Sequence, residues 1–294
     1  MKRFALPLFF ILAMTGVTKF YFHIQAQEKV QAMINRLSPL VAISYVDLDV
    51  ELNGHVVLQE VTLSDSYGKT LLNIDELVVY EFQESERQES IVPANLDIEL
   101  KDVLIHTRPS ANTQKFAFYE LGYQELHADM HFIWHYSDFA NTLGLSSIIK
   151  VNEAADVSAH FELANFDPDQ WRYYLRDPSS ILLMSLLFSY KDHSLFQKAM
   201  TYMAKKNNTT VVNIYEQFIA KMNFYKHQAT ASDKQWRENL SEKWINFVQN
   251  PDEIYFSADN KEGVSLRKLR ITPRDKLPEL LNLKIDLIKI KTME

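Results

Sequence analysis

The most regular feature of the chain is an alternation of apolar and polar residues that predicts β-strands. In the clearest stretch, Gly122 to Tyr136, the even-numbered positions from 126 onward are all apolar, and the odd-numbered ones are polar except for Ile133. A period of two places successive side chains on opposite faces of a strand, so one face is buried and the other solvated. The residues predicted to form this apolar face, as core or as a lipid-facing surface, are Leu126, Met130, Phe132 and Trp134.

About eight such stretches follow one another between residues 45 and 163, separated by turn residues and not by helices. Asn53-Gly54 is a strong hairpin signal. The parity of the apolar positions changes near Lys101-Asp102, which predicts a bulge or a tight turn there. Sequential strands without intervening helices favour an antiparallel meander over parallel βαβ units.

Beyond residue 165 the spacing becomes helical. The apolar run from Ile181 to Tyr190 predicts one more strand, and three amphipathic helices follow it before two final strands near the C-terminus. The residues predicted to cap the three helices are Ser194, Thr209 or Thr210, and Asp233. The predicted fold class is α+β, with an N-terminal transmembrane helix, an antiparallel β-meander sheet, a three-helix segment packing on it, and C-terminal strands. We predict three regions. Residues 1–37 form the signal-anchor transmembrane helix and its extension, residues 38–165 form the antiparallel β-sheet region, and residues 166–294 form a strand, the three-helix segment and the closing strands.

The chain opens with an apolar run directly behind two cations. Lys2 and Arg3 precede an almost wholly apolar stretch from Phe4 to Val17, which is typical of an export signal. The best cleavage site would follow Ala26. It would place Ile24 at the −3 position, where a cleaved signal has a small residue. We therefore expect an uncleaved signal-anchor with an exported body in preference to a cleaved peptide or a buried helix. The predicted anchor residues are Phe4, Leu8, Phe10, Ile11 and Tyr21.

Composition excludes several kinds of chemistry. The 294 residues include no cysteine, so disulfides, thiolate catalysis and cysteine-based metal sites are excluded. The net charge is −7, and no basic stripe with interleaved aromatic residues is visible, so a nucleic-acid partner is not predicted. No phosphate-binding glycine loop or nucleophile motif is present, and we predict neither a cofactor nor enzymatic activity.

Three histidines recur at intervals of four residues, at His127, His131 and His135. On a helix this spacing would align three imidazoles for a zinc ion. On the strand that the alternation predicts, successive members are about 13 Å apart, at about 3.3 Å per residue, which is too far to share one ion. We therefore predict a solvated strand face and no metal site. Carboxylate pairs such as Asp97 and Glu99 follow from the same alternation.

The stretches Ile43 to Gly54, Val61 to Asp65 and Gly68 to Val79, behind the apolar N-terminus, resemble the start of AsmA-like proteins. The similarity covers roughly residues 1 to 80. It implies a Gram-negative inner-membrane protein with a single anchor and a β-rich body in the periplasm. Members are associated with outer-membrane biogenesis, and the long ones form lipid-carrying grooves. The resemblance implies no catalytic site.

Two functions remain open. The first is a membrane-anchored, non-enzymatic periplasmic protein of the cell envelope that binds or passes lipid on the apolar face of its sheet. The second is a structural or adaptor subunit of an envelope complex, with a protein partner and no small ligand. The distinction depends on whether helices cover the apolar face or leave it open, because amphipathic helices must bury their apolar stripes somewhere.

Overall fold

In a computed structural model of the chain, the described residues include an antiparallel sheet of eleven strands and several helices. These residues fall into two compact units. Unit 1 comprises Met1–Leu104 and Asp129–His131, and unit 2 comprises Ile105–Ala128 and Phe132–Glu294. The structure describes residues 22–35, 38, 41–51, 53–65, 67–85, 93–105, 107, 118–174, 176–227, 234–273 and 276–287.

The described residues of unit 1 contain one helix and the first five strands. Helix α1 is described over residues 22–35. The strands lie in the order β1-β3-β4-β5, and β2 also pairs with β3, all antiparallel. Their bounds are β1 Ala42–Ser44, β2 Asp47–Val50, β3 Val56–Ser64, β4 Thr70–Gln83 and β5 Asn95–Ile105.

The turns of unit 1 follow the sequence signals. Gly54 has a φ of 90° between β2 and β3, as the predicted hairpin requires. Asp102 has a φ of 52° inside β5, and Leu100 and Val103 are both buried although they are three residues apart. The predicted change of parity near Lys101-Asp102 is thereby confirmed as an irregularity within one strand.

In the part of unit 2 that the structure describes there are six strands, and each is hydrogen-bonded to the next in sequence. They are β6 Leu126–Ser137, β7 Thr142–Val151, β8 Ala155–Ala164, β9 Leu182–Asp192, β10 Glu253–Ser265 and β11 Lys284–Leu287. The helices are α2 Trp171–Tyr174, α3 Leu195–Lys206, α4 Val211–His227, α5 Lys234–Gln249, α6 Leu266–Ile271 and α7 Leu277–Leu280.

Helices cover the apolar face of the sheet in unit 2. Phe247 of α5 is buried against Ile254 of β10 and Ile285 of β11. The Trp244 ring lies 5.9 Å from the Phe256 ring. Aromatic pairs of this kind add to the burial of apolar area, so the three-helix segment stabilises this part of the sheet directly.

The capping of α3 differs from the prediction. Ser194 makes no side-chain cap hydrogen bond. Instead Asp192 Oδ1 accepts a 2.8 Å hydrogen bond from the Phe196 backbone N–H, because a carboxylate two residues earlier reaches the first turn. The predicted cap of α4 is confirmed at Thr210, whose Oγ1 accepts from the Asn213 N–H. Asp233 lies outside the described residues.

None of the helices in the described residues combines the length and the apolar character that crossing a membrane requires. This finding contradicts the predicted N-terminal transmembrane helix and the single-pass inner-membrane location with a periplasmic body. Helix α1 carries polar residues such as Gln25, Glu28 and Gln31, while Ala26 is buried in unit 1. The described helix therefore packs by one face and is not apolar all round. The predicted anchor residues Phe4, Leu8, Phe10, Ile11 and Tyr21 lie outside the described residues.

Candidate functional site

An apolar cavity of about 210 Å³ lies in unit 1, between helix α1 and the sheet. This volume exceeds that of engineered apolar cavities of about 150 Å³ that stay dry and bind benzene. It is smaller than the usual drug-sized pocket, which begins at about 300 Å³. Its described lining residues are Ala26, Lys29, Val30, Met33, Ile34, Ile43, Gly54, Val56, Leu58, Leu77, Val79, Tyr80 and Phe82.

One face of helix α1 forms the roof of this cavity. Ala26, Val30, Met33 and Ile34 recur at helical spacing and therefore share one side of the helix. Val30, Met33 and Ile34 are only half-buried although they are apolar. The helix thus meets the sheet without filling the space beneath these three side chains.

Two neighbouring strands form the floor. Val56 pairs with Val79, and Leu58 pairs with Leu77, in the antiparallel register of β3 and β4. Residues opposite each other in this register point to the same face of the sheet. The period of two therefore gathers four aliphatic side chains into a continuous apolar surface.

Two polar side chains are among the described lining residues. Lys29 is exposed on α1 and is the only cation in this lining. Tyr80 donates a hydrogen bond to Glu99 Oε2, and this bond together with burial raises the pKa of the phenol. Tyr80 is consequently neutral at ordinary pH, and the charge in the described lining comes from Lys29.

A group of polar side chains surrounds Tyr80 in unit 1. We call His55, Tyr80, Asp97, Glu99 and His131 the histidine cluster. The Tyr80 ring makes edge contacts with His55, at 4.8 Å between centroids, and with His131, at 5.9 Å. His131 Nε2 lies 2.6 Å from Asp97 Oδ1. These contacts hold the Tyr80 side chain, which is one of the lining residues of the cavity.

The three regularly spaced histidines do not come together. His131 belongs to the histidine cluster, whereas His135 is exposed on β6 and His127 is half-buried. Within the described part of the chain, no group of three or more His, Cys, Asp or Glu side chains is placed to hold a metal ion. The strand geometry explains this separation, because residues four apart on a strand are too distant to converge.

The four residues predicted for the apolar face of β6 have different surroundings. Leu126 is buried in a cluster against which Leu195, Ala199 and Tyr202 of α3 pack. The Trp134 ring lies 6.0 Å from the Phe166 ring. Met130 and Phe132 are half-buried. Leu126 therefore contributes to the core of unit 2.

The site beneath α1 is not among the sites predicted from the sequence, although the apolar face of this helix has a sequence signal. The helical pattern through Val30, Met33 and Ile34 is visible in the sequence and lies within residues 1–37, the predicted anchor helix and its extension. The register of β3 with β4 was needed to show which strand residues the helix faces. Lys29 carries no sequence signal of its own, since one lysine on an amphipathic helix is ordinary.

Comparison with known proteins assigns no activity to this chain. Residues 148–287, just under half of the chain, match the model of a family described as "Uncharacterized protein". The matched residues lie in unit 2. No curated protein matches the chain. The resemblance of residues 1 to 80 to AsmA-like proteins therefore stays a prediction.

Proposed function

We propose that the protein binds the hydrocarbon chain of an anionic amphiphile, a fatty acid being the simplest case, in the cavity beneath α1. The observation that carries this proposal is the aliphatic cavity of about 210 Å³ with Lys29 among its lining residues. The protein acts as a binding protein without covalent chemistry. This function retains the lipid binding expected from the sequence and moves it from β6 to the surface formed by β3 and β4.

The free energy of binding comes from filling the space between the apolar surfaces of α1 and the sheet. An unfilled apolar cavity forfeits dispersion contacts along its whole lining. At about 24 cal/mol per Å³, filling about 210 Å³ contributes about 5 kcal/mol.

The head group is assigned by charge. Lys29 presents a compact ammonium group that pairs with a carboxylate or a phosphate. An exposed ion pair of this kind contributes up to about 1 kcal/mol, or about fivefold in affinity. The apolar lining supplies most of the affinity, and Lys29 selects an anionic ligand over a neutral one of equal length.

The test is a binding titration of the full chain with fatty acids of increasing length. Each methylene that enters the cavity contributes about 0.8 kcal/mol, so affinity should rise about fourfold per carbon and then level off when the cavity is full. Affinities that do not depend on chain length would contradict the proposal.

The Lys29 assignment has its own control. Lys29→Ala should weaken fatty-acid binding about fivefold and leave binding of the matching methyl ester unchanged. Lys69→Ala removes an exposed lysine outside the cavity lining and should alter neither. If both variants weaken the acid equally, Lys29 does not contact the head group.

A further inference from the structure

Positive charge is concentrated around helix α6 in a chain that is acidic overall. Residues 266–276 contain five cations and one carboxylate, whereas the whole chain has a net charge of −7. We define the basic patch as Arg267, Lys268, Arg270, Ile271 and Lys276, all of which are exposed. Charge counted over the whole sequence conceals this patch, because acidic residues elsewhere outweigh it.

An apolar side chain stands among these cations. Ile271, the last residue of α6, is 71% exposed. Arg267, Arg270 and Ile271 are spaced three and four residues apart, so they share one side of the helix. Cations beside an exposed aliphatic residue are typical of surfaces that lie in a lipid interface, where the apolar group enters the acyl boundary.

The patch is held by hydrogen bonds to the rest of unit 2. The Leu266 N–H donates to the Ile181 carbonyl at 3.0 Å, and Ser265 Oγ donates to the Ser179 carbonyl at 2.9 Å. Thr272 Oγ1 closes the end of α6 by donating to the Lys268 carbonyl at 2.6 Å. The cations are therefore presented from a fixed backbone.

The cations of the patch differ in their neighbours. Arg267 lies close enough to Asp177 to help lower the pKa of that carboxyl, after the larger effect of its hydrogen bonds with Ser179. Among the residues that the structure describes, Lys268 and Arg270 form no ion pair. Their charges are therefore available to an external anion.

We propose that the basic patch docks the protein onto a surface of anionic phospholipid. Lys268 and Arg270 lie at the level of the phosphates, and Ile271 enters the boundary between head groups and acyl chains. The exposed isoleucine favours a lipid surface over a nucleic acid, which would be bound by cations with stacking aromatic residues. This proposal is independent of the cavity in unit 1.

The experiment measures binding of the full chain to vesicles of one part phosphatidylglycerol to two parts phosphatidylcholine, by sedimentation. Neutralising two cations in Lys268→Gln/Arg270→Gln should weaken binding about 30-fold. Ile271→Ser should weaken it about tenfold by removing the inserted side chain. Binding of the unchanged protein should also weaken when salt rises from about 0.1 M to about 1 M, where screening is nearly complete.

A matched control separates the patch from general charge. Lys205→Gln/Lys221→Gln removes two exposed cations from α3 and α4 and should change binding by less than about twofold. Because the apolar N-terminal segment is present in every variant, only differences between variants are compared. Equal losses in the two double variants, or no vesicle binding at all, would overturn the proposal. Binding to polyuridylic acid that requires Lys268 and Arg270 but not Ile271 would also overturn it, in favour of a polyanion.

Discussion

At the scale of single residues, Tyr190 shows how a side chain is fixed in the core of unit 2. Its hydroxyl donates a 2.6 Å hydrogen bond to Asp192 Oδ1, and its ring lies 5.9 Å from the Phe247 ring. Asp192 Oδ1 in turn caps α3. Burial, followed by the bond to Asp192 and its negative charge, raises the pKa of Tyr190. The neutral phenol is therefore part of the folded structure.

This raised pKa predicts a loss of stability at alkaline pH. The phenol of the unfolded chain ionises near pH 10, while the folded chain keeps Tyr190 protonated, so the free energy of unfolding falls as pH rises above about 10. Tyr190→Phe should cost about 1 kcal/mol at neutral pH and should flatten this alkaline decline. Urea denaturation at a series of pH values measures both effects.

The control for this prediction is Tyr67→Phe, which changes a side chain that is 94% exposed. It should leave both the stability and its pH dependence as they are in the unchanged protein. The same alkaline slope in Tyr190→Phe and in the unchanged protein would show that Tyr190 is not responsible.

At the scale of elements, Gly263 marks the point where β10 shifts register against β9. The shift falls between Asp259 and Val264, and Gly263 has a φ of 71°. A Cβ at this position would lie 2.7 Å from Met184 Sδ and 2.8 Å from Leu182 Cβ. The methionine sulfur can move, but Leu182 Cβ is fixed to the backbone of β9.

We expect Gly263→Ala to cost about 2–5 kcal/mol, from the left-handed backbone and from overpacking against β9. Gly68→Ala is the matched variant, because Gly68 has a φ of 78° but nothing within 4 Å of an added Cβ. It should cost only about 1–2 kcal/mol. Urea denaturation of both variants gives the difference. Equal costs would mean that contact with Leu182 and Met184 is not what requires glycine.

Most strands and helices could be predicted from the sequence, but the contacts that their side chains make could not. Alternation located β6, and the change of parity located the irregularity at Asp102, because both depend only on local spacing. The predicted cap of α3 is wrong, because Ser194 and Asp192 both carry oxygens that can cap a helix and only the three-dimensional structure shows which oxygen reaches the Phe196 N–H.

At the scale of the whole molecule, the question whether the apolar face is covered or open has a different answer in each unit. Leu126 and Ile254 in unit 2 pack against helices. In unit 1, α1 lies over β3 and β4 but leaves a cavity between them. Periodicity identifies an apolar face but not how completely a helix fills the space above it. The sequence therefore could not distinguish the two arrangements.

The net charge of the chain also does not show where its positive charges are concentrated. A net charge of −7 argued against a polyanionic partner. The exposed cations of α6 became a surface only when the structure showed Ile271 exposed beside them. The apolar face of α1 is likewise predicted to be part of the anchor, because an apolar stripe on a helix can be buried either in a membrane or against a sheet.

Hydrogen exchange of the full chain with and without a fatty acid is the most direct test of whether an acyl chain occupies the cavity beneath α1. With the fatty acid bound, we expect slower amide exchange in α1 and in the parts of β3 and β4 around Leu58 and Leu77. Val30→Phe places a larger side chain in the cavity and should weaken this ligand-dependent protection, whereas Gln27→Phe, on an exposed position of the same helix, should retain it. Protection that is equal in the two variants, or confined to unit 2, would contradict binding of the acyl chain beneath α1.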